Sequence, residues 1–254
     1  MTPDEYLQSL ITKYKASTGT GSVAYNAGNA IYPIIKKWAG VQLREVSFSG
    51  SNAKGTAIHG TTDVDLFISL KSDTKETMKQ LFDKLFTTMK GNGYTGALKQ
   101  NVSIHVNHVG IDVDLVPAVH FGDNSEDHWL YVNKPNRDRT KTNITTHINL
   151  VKGSGRINEI ILAKIWRKNH GLDFPSFYLE LAVIEALKYT RTGLADNFIK
   201  ILEYLRDLLA TARHVDPANS NNIISDDLTV AEKKIIADQA KKSRAEPKWE
   251  QTVW

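Results

Sequence analysis

The sequence predicts an α+β protein of two lobes, a mixed sheet with covering helices first and an all-helical lobe after it. Three observations carry that prediction. Strand-like alternation runs as far as Val119, helical spacing takes over from Ile157, and a glycine-serine turn leads into a paired-aspartate strand between Phe48 and Leu70.

The paired-aspartate stretch, FSGSNAKGTAIHGTTDVDLFISL, organises the rest. Gly50 and Ser51 follow apolar Val46 and Phe48 and precede Lys54, Gly55 and Thr56, so a tight turn can turn backbone N–H groups and hydroxyls toward an anion. Asp63 and Asp65 then head the apolar run Leu66, Phe67, Ile68 and Leu70. Side chains at i and i+2 of a strand share a face, so the two carboxylates point the same way. Clustered carboxylates need a cation, and oxygen ligands facing a polyphosphate suit magnesium.

The elements follow in order. Thr2-Pro3-Asp4-Glu5 is a capping box with proline at the first helical position, opening an amphipathic helix through Leu7, Leu10, Ile11 and Tyr14. Ile31, Ile34, Ile35 and Trp38 mark a second helix that ends at Gly40. Val41 to Phe48 reads as a strand, and Val64 to Leu70 as the strand with the acidic pair. Met78, Leu81, Phe82, Leu85, Phe86 and Met89 predict a helix stopping before Gly91. Val102 to Val106 and Ile111 to Leu115 predict two further strands, the second ending before Pro117. Asp112 and Asp114 alternate along it, and either could supply a third carboxylate. The polar stretch from Gly122 to Thr145, with Lys134, Arg137, Arg139 and Lys141, reads as a connection with acceptor contacts, and no strand is expected after Val119. Helical faces then recur at Ile157–Trp166, Phe177–Leu187 and Phe198–Leu209, and Thr229 to Glu232 is a second capping box. The lobes are expected over 1–140 and 141–254, with the first helix packing on the second lobe and an active-site cleft between the two.

Composition narrows the classes. With 254 residues, 41% of them apolar, the chain can bury one large core or two packed ones. It has no cysteine, which excludes disulfides and thiolate metal sites. His105, His108, His120 and His128 lack the spacing of a helical zinc pair. Neither a membrane-length apolar run nor a signal-peptide pattern is present, so a cytoplasmic protein without a membrane partner is expected. A net charge of +4 fits phosphate-rich ligands without requiring a nucleic-acid track.

The joint pattern of Gly50-Ser51, Gly55-Thr56, Asp63-Val64-Asp65 and Asp114-Leu115-Val116-Pro117-Ala118 resembles the DNA polymerase β-like nucleotidyltransferase superfamily. The helical part is similar to the branch of oligoadenylate synthases, cyclic GMP-AMP synthases, their bacterial antiphage-defence relatives and archaeal-type CCA-adding enzymes. The helix from Arg156 to Arg167 is similar to one whose lysine, here Lys164, contacts the triphosphate, and Pro175 to Leu181 is similar to a helix start whose serine, here Ser176, adds a phosphate contact. Thr142 to His147 resembles a segment that places a histidine, here His147, near the triphosphate, although Ile144 stands where the family has proline. Asp216 to Asn222 and the helix from Thr229 look like the branch's carboxy-terminal segment.

The resemblance implies that Asp114 is the third carboxylate. It also implies two magnesium ions, with manganese as a substitute, held by Asp63, Asp65 and Asp114, and nucleotide binding by Gly50, Ser51, Lys54 and Thr56. Tyr178 is a candidate for stacking on a base, although a tyrosine on so apolar a helix is more often core. The implied reaction is attack of a ribose hydroxyl on the α-phosphate of an NTP, ATP first among them, yielding a cyclic or linear oligonucleotide messenger in antiphage defence. The alternative is template-independent addition to an RNA end; RNA is thus an expected acceptor or activator. CCA-adding relatives carry further domains after the helical lobe, and the chain ends at Trp254, which favours the messenger reading. A non-catalytic sensor is the third reading, and retention of all three aspartates argues against it.

Overall fold

The computed structural model describes residues 1–60, 63–122, 124–134 and 137–253. In chain order the elements begin with α1 (Pro3–Tyr14), α2 (Val23–Ala39), β1 (Leu43–Phe48), α3 (Gly50–Lys54), β2 (Val64–Leu70) and α4 (Met78–Gly91). The strands β3 (Leu98–Lys99), β4 (Ile104–His108), β5 (Ile111–His120), β6 (His128–Lys134) and β7 (Arg137–Thr142) follow. The helices α5 (Ile144–Gly153), α6 (Ile157–Asn169), α7 (Ser176–Ala186) and α8 (Leu194–Asp207) come next, then the ribbon β8 (Val215–Asp216) and β9 (Asn219–Ile223), α9 (Val230–Ala245) and α10 (Trp249–Thr252).

The chain divides into two compact units, a sheet unit of Ser17–Gly55 and Thr62–Ile148 and a helical unit of Met1–Ala16, Thr56–Thr61 and Asn149–Trp254. The division falls inside α5, later than the residue-140 boundary expected from composition, because a polar stretch is a weak marker of where one core ends. The helical unit also takes a short segment, Thr56–Thr61, from the middle of the amino-terminal part.

In the sheet unit the strands run in the order β1-β2-β5-β4-β3, with β6 on β5 and β7 on β6. β2 and β5 are parallel, and the other pairs are antiparallel. One face carries α2 and α4: Ile31, Ile35, Phe82, Leu85 and Met89 pack with Leu66, Ile68, Val113 and Leu115. The alternation that puts Leu66 and Ile68 there sends Phe67 to the opposite face, where it packs with Ala118, Leu130 and Val116.

The stretch from 122 to 145 is not a bare connection. It contains β6 and β7, which correct the expectation of no strand beyond Val119. β7 pairs only with β6 and reads Arg-Asp-Arg-Thr-Lys-Thr, the charged composition that keeps an edge strand from pairing further. The side chains of Lys134 and Arg137 lie outside the described residues. β5 also runs past Pro117 to His120. On one side pairing with β4 ends at Leu115 and pairing with β6 begins at Ala118, so Pro117 falls in the gap there, while on the other side it stands opposite Ile68 of β2.

The helical unit has its own core, in which Leu7, Leu10 and Ile11 of α1 join Trp166, Phe198, Ile201 and Leu202 among others. The capping boxes at Thr2 and Thr229 form as the sequence predicts.

Candidate active site

The acidic residues belong to the sheet unit. In the parallel β2/β5 pair Asp65 stands directly opposite Asp114. Asp65 is two residues from Phe67 and Asp114 two from Val116, so both carboxylates occupy the sheet face away from α2 and α4. Asp63 lies one residue ahead of β2 and is exposed.

The glycine-serine turn is the short helix α3, and it lies against this strand. The Ser49 N–H donates to the Asp65 carbonyl at 2.9 Å, and Asn52 Nδ2 donates to the Asp63 carbonyl at 3.2 Å. Gly50 has φ 54°, and a Cβ there would stand 1.8 Å from Oδ2 of Asp65. Glycine is therefore required twice, by the left-handed backbone and by the approach of the carboxylate. Ser51 is half-buried beside it, and Lys54 is buried at the end of α3.

Electrostatics ties the carboxylates together. Although the residue as a whole is exposed, partial desolvation of the Asp63 carboxyl first, then the negative charges of Asp114 and Asp112, hold it above the usual carboxylate range against the pull of His105. Asp114 is also raised, chiefly by burial, in spite of its hydrogen bond to His105. The negative charges of Asp114 and Asp112 on Asp63, and of Asp112 on Asp114, fit a divalent cation, which would relieve that repulsion. Among the described residues no three acidic or histidine side chains form a ready-made metal cage.

Two polar groups here escaped the sequence reading. His105 Nδ1 lies 3.1 Å from Asp114 Oδ1 and its Nε2 3.5 Å from Asp112 Oδ1, so one imidazole spans both aspartates. The signal was the hairpin: a turn at Val109-Gly110 sets His108 opposite Ile111 and therefore His105 opposite Asp114. Asn52 is the second, and nothing in its local spacing distinguishes it from an ordinary helix residue. Asp112 takes a further bond from Asn107 Nδ2 at 2.7 Å.

The remaining candidates are distributed differently. His147 is half-buried in α5, still within the sheet unit. Thr56, Lys164, Ser176 and Tyr178 belong to the helical unit. Ser176 opens α7, is exposed, and accepts from Arg167 Nη1 at 3.0 Å. Thr56 and Lys164 are buried and bonded to each other and to Glu180. Tyr178 is fully buried, edge-on to Phe174 with ring centroids 5.1 Å apart, and its phenol is pushed up to about 12, mainly by burial. The base-stacking expectation for Tyr178 is thereby corrected: its ring is core and presents no face to a ligand.

Solved structures with this architecture include CD-NTases and a cyclic dinucleotide synthase, and the chain shares their fold. The Escherichia coli MS115-1 CdnC structure with ATP superposes with a TM-score of 0.77 at 19% identity, covering 99% of this chain and 95% of that one. The Bradyrhizobium diazoefficiens CdnG structure with GTP gives a TM-score of 0.75 at 13% identity, covering 96% and 92%. Residues 1–154 match the Second Messenger Oligonucleotide or Dinucleotide Synthetase domain, and the chain belongs to that family of nucleotidyltransferases. A cyclic AMP-AMP-AMP synthase of Acinetobacter sp. (strain ATCC 27244 / 9458) is 24% identical over 96% of this chain and 78% of its own length. A second synthase of that name, from Escherichia coli (strain MS 115-1), is 25% identical over 66% of this chain and 55% of its own length.

Proposed function

We propose that the chain is a metal-dependent synthase that joins NTPs, ATP first among them, into a cyclic or linear oligonucleotide messenger serving bacterial antiphage defence. The observation that carries this reading is the in-register pairing of Asp65 with Asp114, with Gly50 packed so closely on Asp65 that no side chain fits. The named relatives make cyclic AMP-AMP-AMP, which favours ATP and a cyclic product for this chain and does not favour addition to an RNA end.

Asp63, Asp65 and Asp114 are the residues that would hold magnesium. When bound, the metal would neutralise triphosphate charge and lower the pKa of the attacking ribose hydroxyl. The chain's own groups do the rest. The turn at Gly50 and Ser51 offers backbone N–H groups and a hydroxyl to the phosphates, with Ser176 and His147 as further proposed contacts. His105 fixes the rotamer of Asp114, whose carboxylate is the group placed to accept the hydroxyl proton. Catalysis on this account is positioning and charge neutralisation.

The test is direct. Purified protein is incubated with each labelled NTP and with all four, with magnesium or manganese, with and without RNA. Metal-dependent nucleotide products formed without RNA support the proposal, and label appearing on RNA alone overturns it.

A further inference from the structure

His105 is one link in a chain of contacts that starts at the tip of the β4–β5 hairpin. The Gly110 N–H donates to Asn107 Oδ1 at 2.9 Å, and Asn107 Nδ2 donates to Asp112 Oδ1 at 2.7 Å. The same Asp112 oxygen stands 3.5 Å from His105 Nε2. On the other side of the ring Nδ1 lies 3.1 Å from Asp114 Oδ1, and an ionised carboxylate only accepts, so Nδ1 carries a proton.

Register builds the chain. Antiparallel pairing sets Asn107 opposite Asp112 and His105 opposite Asp114, and residues two apart on each strand share a face. The His105 and Asp114 side chains are 21% and 14% exposed, so their hydrogen bond is largely shielded from water and breaking it costs more than it would at the surface.

We infer that His105 sets which cation the site takes: by engaging Oδ1 of Asp114 it confines a bound ion to the other oxygen of that carboxylate, which suits magnesium and disfavours calcium. Magnesium demands a compact octahedron that a two-oxygen grip by one carboxylate distorts, whereas calcium takes more oxygens in a looser shell and readily uses both. For Asp114 to offer both oxygens the imidazole would have to swing away, and Asp112, tied through Asn107 to the hairpin turn, stands against the far side of the ring. His105 is on this account a positioning residue, since it acts through Asp114 and touches neither cation nor substrate. The inference rests on the nucleotidyl-transfer reading above and deepens it by naming the side chain that selects the metal.

The test uses the intact chain without nucleotide, titrated with magnesium chloride and separately with calcium chloride, and reads each dissociation constant from the rise in Tm. Losing the imidazole also alters the local charge, but that acts alike on two ions of equal charge, so the ratio of the two constants is the readout. His105→Leu removes the donor and keeps the bulk, and it is expected to shift the ratio toward calcium by about tenfold. His105→Asn, whose amide offers an N–H at about the place of Nδ1, is expected to stay within about twofold of the parent ratio. A parent-like ratio in folded His105→Leu overturns the inference. So does an equal shift in His105→Asn, which would assign the effect to the ring itself rather than to its hydrogen bond, and so does a parent protein whose Tm responds to neither ion. Product formation by the parent is followed separately with ATP and magnesium. Its absence would sink the nucleotidyl-transfer reading and this inference with it, whereas a productive parent and an unmoved ratio sink this inference alone.

Discussion

At the scale of single residues, Gly50 and Val109 make opposite uses of the left-handed backbone. Gly50 has φ 54° with Asp65 packed on it, so Gly50→Ala must displace the carboxylate or the turn. Activity is expected to fall by about a hundredfold with little loss of Tm, because a shift of this size acts on reacting groups rather than on the core. Val109 has φ 50°, is 89% exposed, and sits at the tip of the β4–β5 hairpin with no packing to offset the strain. Val109→Asn, whose side chain tolerates that conformation, is expected to stabilise the fold by about 1 kcal/mol, raising Tm by roughly 2–4 °C. An unchanged or lower Tm would show that the tip carries no such strain. The Gly50 requirement was legible as a glycine-serine turn. The Val109 strain was not, since only the register of β4 on β5 reveals which turn residue must take positive φ.

Pairing between elements decides the next two expectations. Ser69 on β2 and His128 on β6 meet at 2.8 Å, and His128 Nδ1 lies 3.0 Å from the Glu126 carbonyl. A carbonyl can only accept, so Nδ1 carries the proton and the Ser69 hydroxyl donates to Nε2 of a neutral ring. Burial, with help from His120 and Arg44, pushes His128 down to about 4. A folded-state value below the unfolded one means that the unfolded chain binds more protons between about 6.5 and 4. Stability from this group is therefore complete above pH 6.5 and lost as pH falls through that window. Thermal melts from pH 7 to pH 4 should show that decline, and His128→Gln should flatten it; an equal slope in the variant would contradict the assignment. The buried pair gives the second expectation. Glu180→Leu alone leaves the Lys164 ammonium buried without its carboxylate and should cost about 3–5 kcal/mol, most of which is recovered when Lys164→Met is added. Denaturant unfolding of the single and paired variants checks this, and equal losses in both would contradict it. β2, β4 and the first half of β5 could be read from alternation, α4 from its apolar spacing, and α1 and α9 from their capping boxes. β7 could not, because a charged edge strand carries no hydrophobic period, and the short apolar run of β6 was lost in the polar stretch on either side of it.

Taken whole, the chain is two cores threaded by one polypeptide that passes between them more than once. No helix among the described residues is long and apolar enough to cross a membrane. Asp63 and Asp65 stand out in the sequence as carboxylates at i and i+2, whereas Asp114 is preferred to Asp112 only through the resemblance to the nucleotidyltransferases. What remained hidden were groups whose roles depend on partners distant in sequence. His105 acquires its role only through hairpin register. Lys164 reads from the sequence as a phosphate contact, and its bonds to Thr56 and Glu180 could not be read there. The central claim is that Asp65 and Asp114, adjacent in the parallel pair, carry nucleotidyl transfer. It is tested most directly by comparing product formation from labelled ATP with magnesium in the parent protein, Asp65→Asn and Asp114→Asn, each shown to be folded by its melt. The account predicts oligonucleotide product from the parent and at least a thousandfold less, roughly 4 kcal/mol of transition-state stabilisation, from either variant. Parent-like product from a folded Asp65→Asn or Asp114→Asn protein would contradict it.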